Sequence, residues 1–325
     1  MRSETVERGL VSTIIPVHNR AGLLRGAVES VIAQTYRPIE VVIVDDGSTD
    51  DTGGAIAELV REHAPFVRAL RINNGGPGRA REAGRQVVRG EFIQHLDSDD
   101  LVLPHKFELQ VRGLEARPEC GASYGITRHY AVGSPPSPTP WKRTGERIES
   151  MFPAFLQSRW WETSTPLYRR DVLDGAGSWL PLRAEEDWEY DCRIASQGIR
   201  LHYCNEVVSD YRSHSGAQLS RDSAVNEKLR DRMIAHRAIL NHARRANIPS
   251  DCSEMRHFSR ELFLLSRQCG AAGLPEEARE LFELARSADV AGGQGFDYRA
   301  YRIAAGTLGW VLAGKVACGL DNFRS

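Results

Sequence analysis

Residues 10–46 read "LVSTIIPVHNRAGLLRGAVESVIAQTYRPIEVVIVDD", and the order of patterns within them decides the architecture. The runs LVSTIIPV (10–17) and IEVVIV (39–44) are short and β-branched, as expected of strands buried on both faces. Between them Leu24, Ala27, Val28, Val31 and Ile32 recur at spacings of three and four, which predicts an amphipathic helix over AGLLRGAVESVIAQTY. The order is strand, helix, strand.

The alternation continues downstream. TDDTGGAIAELVREHA reads as a second helix, VRALRI as a third strand, GRAREAGRQVVR as a third helix and EFIQHL as a fourth strand. Such alternation predicts an α/β fold with a largely parallel sheet and helices on its faces. Ligands of these sheets sit outside the carboxyl ends of the strands, where this chain places DDGSTDD and DSDD. The Pro- and Ser-rich stretch 131–145 is expected to be an exposed loop that interrupts a domain without ending it. After about residue 224 the text turns helical, and 254–288 reads as a helix, a Gly-Leu-Pro turn and another helix. One such hairpin is not a repeat array.

The chain has 325 residues, 41% of them hydrophobic, enough to bury a full core. Lys and Arg number 42 against 43 Asp and Glu, so no general charge favours nucleic acid or an anionic membrane. Any bound anion must meet local charge. Six scattered cysteines, without a CxxC pair, are expected to be reduced thiols of a cytoplasmic protein. The charged N-terminus lacks the apolar core of a signal peptide, which argues against secretion. The apolar stretch 303–320 carries Lys315 and several glycines and falls short of a membrane span. It reads either as a packed terminal helix or as one lying on a membrane surface.

Three aspartates, Asp97, Asp99 and Asp100, crowd the end of the fourth strand. Two carboxylates about 4 Å apart at an effective dielectric near 20 repel by roughly 4 kcal/mol, which forces one to stay protonated unless a cation intervenes. Oxygen ligands of this kind suit Mg²⁺ or Mn²⁺, whereas the ordinary alternative is that they cap the helix in LPHKFELQVRGLEA. DDGSTDDT reads as ordinary turn and capping residues, with Thr49 or Asp50 expected to cap the next helix, although Asp45 and Asp46 end the second strand, where a carboxylate could accept a hydrogen bond from a base or a ribose. NNGGPGRAREAG (73–84) is weak as a dinucleotide fingerprint but suits a helix start facing a diphosphate, with Arg79 and Arg81 at hand. Glu185, Glu186, Asp187, Glu189 and Asp191 read mostly as a solvated helix face with a Glu189–Arg193 ion pair, although one carboxylate there could serve as a general base. His214 lies on a Gly-Ser loop and is either incidental or a ligand. Trp160 and Trp161 carry aromatic faces that could stack on a sugar, with core packing as the alternative for one of the two.

In this order STIIPVHNR, VESVIAQTY, EVVIVDDGSTDDT, NNGGPGRAREAG, GEFIQHLDSDD, EEDWEYDCR and YRSHSGAQLS resemble the family 2 glycosyltransferases, inverting enzymes of the GT-A fold that use sugar nucleotides. The resemblance covers residues 11 to about 220. It implies a GT-A domain over 1–223, with a nucleotide-binding half at about 10–105 and an acceptor half at about 106–223, followed by a helical region over 224–325. It also implies that Asp46, with the Pro16-to-Arg20 loop including Asn19, contacts the base, that Arg81 lies near base or diphosphate, and that Asp97 meets the ribose or the metal. Asp99 is implied as a metal ligand, Asp187 as the catalytic base and His214 as a partner of metal or diphosphate, while Glu82 stands where the family commonly has Asn.

The activity so implied is transfer of a sugar from a nucleoside-diphosphate sugar to the hydroxyl of a carbohydrate or glycolipid, with Mg²⁺ or Mn²⁺, in bacterial polysaccharide or glycoconjugate synthesis. A binding scaffold of transferase-like fold and a nucleotidyltransferase are the competing readings. A cytoplasmic location, at the inner face of the membrane if the C-terminal helix makes a peripheral contact, and a homodimer complete the expectations.

Overall fold

The computed structural model describes residues 6–131, 133–213, 225–289 and 295–322. Eight strands form one sheet: β1 Glu7–Val17, β2 Ile39–Asp46, β3 Val67–Ile72, β4 Gly90–His95, β5 Leu101–Val102, β6 Cys120–Ala131, β7 Leu167–Arg169 and β8 Arg200–Ser213. The spatial order is β3-β2-β1-β4-β7-β6-β8-β5. The half from β3 to β4 is parallel throughout. On the other side β7 runs antiparallel to both β4 and β6, β8 is parallel to β6, and β5 closes the edge antiparallel to β8.

Helices α1 Ala21–Ile32, α2 Thr52–Glu62, α3 Pro77–Arg85 and α4 Lys106–Ala116 are those read from the sequence. β2 is buried at every position, as its β-branched run requires, and α1 turns Leu24, Ala27, Val28 and Val31 inward. The aspartates before α4 do not cap it, because His105 holds the N-cap position and makes no side-chain cap bond. At the start of α2 the carboxylate of Asp50 accepts hydrogen bonds from the amide and hydroxyl of Thr52.

Two compact units share the chain. The first holds the sheet and is formed by residues up to Met151, Trp160–Pro181 and the chain from Gln197 to the end of β8, with α5 Arg170–Ala176. Two segments that precede residue 224, Phe152–Arg159 and Leu182–Ser196, group with the C-terminal helices in the second unit. That unit contains α6 Glu186–Ala195, α7 Val225–Arg245, α8 Ser253–Ala271, α9 Pro275–Ala288, α10 Phe296–Leu308 and α11 Trp310–Asn322. Ser259 and Ser266 of α8 donate to the carbonyls of Ala285 and Ala278, a pairing that makes α8 and α9 an antiparallel hairpin. The apolar stretch 303–320 is not one helix: Gly309, at φ +80°, ends α10 in a conformation that favours glycine, and α11 starts after it.

Lys106 is fully buried in the first unit and has no carboxylate partner among the described residues. Its Nζ donates to Gln110 Oε1 at 2.6 Å and to the Thr165 carbonyl at 2.7 Å. Burial pushes its ammonium down to about 7. Between that value and the unfolded lysine's, about 10.4, the unfolded chain binds more protons than the native one. Stability therefore rises with pH across that window, by up to about 1.4 kcal/mol per unit, and the lysine's penalty is fully present at lower pH. Lys106→Met is expected to flatten that rise, read as the difference between variant and wild-type urea midpoints at about pH 7 and about pH 9.

Candidate functional site

The end of β4 gathers charge of both signs. Asp97 accepts a hydrogen bond from Arg81 Nη2 at 2.7 Å, and Arg81 is buried with its guanidinium 4.9 Å from the ring of Trp179. Asp99 pairs with Arg20, at the N-cap of α1, while the side chain of Arg212 in β8 donates to the Asp99 carbonyl. Arginines thus meet part of the charge of the crowded carboxylates. Asp100 is buried; its Oδ1 accepts from the Arg212 amide at 3.0 Å and its Oδ2 from Ser164 at 3.4 Å. Burial, and after it the charge of Asp97, push the Asp100 carboxyl well above the usual carboxylate range. Asp100 anchors the loop, and Asp97 and Asp99, with side chains 32% and 19% exposed, face outward.

These two carboxylates fit a hard divalent cation that keeps water or substrate oxygens in most of its positions. Among the described residues no group of three or more His, Cys, Asp and Glu side chains forms a fuller ligand set. His214 lies outside the described residues.

At the end of β2 both carboxylates are engaged. Asp45 accepts from the Ser48 amide and from Arg71 Nη1, each at 2.8 Å, which fixes the turn after the strand. Asp46 accepts from the amides of Gly75 and Gly76, also at 2.8 Å. Gly76, at φ +88°, is the N-cap of α3, so Asp46 lies against the positive end of that helix. His18 Nδ1 donates to the Asp46 carbonyl at 2.8 Å, the tautomer that this geometry selects. Asn19, at φ +51°, accepts from the Thr49 amide at 2.8 Å, and its own amide donates to Ser48 Oγ at 3.0 Å. Pro16 stands in β1 opposite Val44. The β1 and β2 loops are thereby tied together, and Asp46 joins them to the start of α3. Glu82 is taken up by Arg85, Gln86 and Ser178.

Asp187 belongs to the second unit, in the first turn of α6. Arg159 bridges it to Asp191, with Nη1 at 2.5 Å from Asp187 and Nε at 2.8 Å from Asp191. Asp187 is 28% exposed and Asp191 6%, so the bridge leaves the first accessible and buries the second. Three further contacts join this stretch to α7. Glu185 holds a left-handed φ of +59° and receives Arg232 at 2.8 Å and His236 at 3.0 Å, and Glu189 receives His242 at 2.8 Å. Burial alone would raise the Glu189 carboxyl, and the bonds from His242 and Arg193 more than offset it, leaving it below its ordinary value.

The structure corrects two sequence readings. The acidic run is not a solvated face, because Glu186, Glu189 and Asp191 are buried. Trp160 and Trp161 are core residues at 2% and 0% exposure and offer no face to a sugar. A half-buried group, His129, Trp141 and Tyr211, stacks in the first unit instead, with Trp141 and Tyr211 5.5 Å apart and nearly parallel. Among the residues that touch the candidate carboxylates, Arg20 follows β1 and meets Asp99 across 79 residues, which no local pattern signals. Arg159 carried no local signal, since its partners are 28 and 32 residues away.

The family model for glycosyl transferase family 2 matches residues 12–173, a span that takes in Asn19, Asp46, Arg81, Asp97 and Asp99 and stops before Asp187. An uncharacterized glycosyltransferase of Rickettsia felis is 41% identical over 102 residues, 31% of this chain and only 17% of that protein's length. One from Nostoc sp. PCC 7120 is 30% identical over 228 residues, 67% of this chain and 69% of the relative. Among solved structures, Staphylococcus aureus TarS 1–349 in complex with UDP-GlcNAc superposes with a TM-score of 0.62 at 18% identity, covering 90% of this chain and 92% of that one. Mannosyltransferase PcManGT of Pyrobaculum calidifontis, in complex with GDP-Man and Mn²⁺, gives 0.50 at 18% identity over 94% and 86%. The structural likenesses show the GT-A fold. Because the Nostoc relative is 30% identical and matched over more than two thirds of its length, the chain belongs to glycosyl transferase family 2.

Proposed function

We propose that this glycosyltransferase moves a hexosyl group from a nucleoside-diphosphate sugar to an acceptor hydroxyl of a carbohydrate or glycolipid, with inversion at the anomeric carbon and with the help of Mg²⁺ or Mn²⁺. The observation that carries the reading is the carboxyl end of β4, where two outward carboxylates, Asp97 and Asp99, stand beside the arginines that match them. A nucleoside diphosphate needs both signs there: carboxylates for ribose hydroxyls and a cation, arginines for phosphate oxygens. The UDP-GlcNAc and GDP-Man with Mn²⁺ held by the two structural neighbours support the same ligand class.

In this reading Asp46, Asn19 and Pro16 shape the base end of the donor site and Arg81 faces its ribose or diphosphate. Asp99, with Asp97 and His214, would hold the divalent cation, which when bound neutralises charge on the departing nucleoside diphosphate. Asp187 accepts the proton of the acceptor hydroxyl as that oxygen attacks the face opposite the leaving group, and one such displacement inverts the configuration. Synthesis of a bacterial polysaccharide or glycoconjugate in the cytoplasm is the setting this chemistry fits.

A panel of UDP-, GDP- and dTDP-sugars tests it, with nucleoside diphosphate release as the readout. Release is expected with one nucleotide class, abolished by EDTA and restored by Mn²⁺ or Mg²⁺. Failure of every donor both to bind in calorimetry and to react would overturn the proposal.

A further inference from the structure

The last two helices carry an outward apolar face that the transfer reaction does not use. Six large apolar side chains are exposed there: Phe296 at 85%, Ile303 at 66%, Leu308 at 53%, Leu312 at 50%, Val316 at 53% and Leu320 at 56%. Leu312, Val316 and Leu320 recur every four residues and share one face of α11. The opposite face is also apolar: Ala313 and Gly314 are buried, and Gly314 lies so close to α8 that an added Cβ would stand 2.5 Å from the Ala271 amide nitrogen. A helix apolar on both sides, packed on only one of them, has a second surface to cover.

The charges around that face identify the cover. Arg299, Arg302 and Lys315 are exposed on the same two helices and have no ion-pair partner among the described residues. The acids there are taken up by α8, Asp297 by Arg260 at 3.3 Å and Asp321 by Arg267 at 2.6 Å. The apolar face is therefore fringed by positive charge. No described helix is long and apolar enough to cross a membrane, so the contact is a surface one. A two-fold pairing of copies through this face would set three cations of one protomer near those of its partner, which disfavours a dimer.

We infer that α10 and α11 dock on the surface of a bilayer containing anionic lipid, the apolar side chains entering the acyl boundary and Arg299, Arg302 and Lys315 meeting lipid phosphates. The inference is independent of the proposed transfer reaction.

Flotation with vesicles of phosphatidylcholine alone, and of phosphatidylcholine with phosphatidylglycerol in equal parts, tests it on the full chain. Binding is expected to the mixed vesicles, weakened by salt, with much less to the neutral ones. Lys315→Gln is expected to weaken it about fivefold. A triple variant, Leu312→Ser, Val316→Ser and Leu320→Ser, is expected to weaken it at least about tenfold. All three positions face outward, so its circular dichroism and donor reaction in solution should match wild type. No flotation with the mixed vesicles, undiminished flotation of the triple variant, or a dimer in sedimentation velocity that the triple variant dissociates would each overturn the inference.

Discussion

Asp187→Asn is expected to lower transfer by about 10²- to 10⁴-fold, the range that a positioned general base contributes. Asparagine keeps an oxygen for Arg159 and occupies the same volume, so the loss is expected in kcat, with the donor Kd little changed. Arg159 retains Asp191 at 2.8 Å, and Asp187 is 28% exposed, so the thermal midpoint should move little. The experiment compares acceptor glycosylation with slow donor hydrolysis by the same protein. A base that serves only the acceptor hydroxyl gives a large drop in the first and a smaller one in the second. Wild-type turnover with the true acceptor removes Asp187 from that role.

Asp99→Ala should cost roughly a thousandfold in turnover, the several kcal/mol that a divalent cation supplies to a departing phosphate. The substitution also removes the ion pair that Asp99 makes with Arg20, whose side chain is only 15% exposed. A stability loss of about 1–2 kcal/mol accompanies that. Asp99→Asn separates the two effects, because it keeps the shape and an acceptor oxygen for Arg20 while removing the charge. Mn²⁺ titration followed by paramagnetic resonance should show binding lost in both variants. Wild-type Mn²⁺ affinity in either one means the cation is held elsewhere.

How much of this was legible before the fold was known differs from element to element. The spacing of Leu24, Ala27, Val28 and Val31 marked the buried face of α1, and all four are buried. The β-branched run of β2 did the same for the sheet. Periodicity reports which face of an element is apolar, and burial of that face follows from solvent exclusion whatever the partner is. The acidic run of α6 was misread for the same reason in reverse. Charge alone pointed to solvent, but Arg159, Arg193 and His242 make it possible to bury Glu189 and Asp191, and none of these pairings has a pattern that separates it from a surface ion pair. Trp160 and Trp161 show the limit of composition, since an indole ring suits a sugar and a core equally well and only packing decides between them.

The sequence by itself determined the alternation of strand and helix, and with it the placing of Asp45, Asp46, Asp97 and Asp99 at strand ends, because side-chain period and turn chemistry are local properties. The tertiary structure decided which cation meets which carboxylate. Arg20 reaches Asp99 across 79 residues and the Arg212 amide reaches Asp100 across 112, because β1 lies beside β4 in the sheet and β5, just after these aspartates, pairs with β8. An ion pair's energy depends on separation and dielectric, and both are set by strand order and burial, which no local stretch of sequence contains.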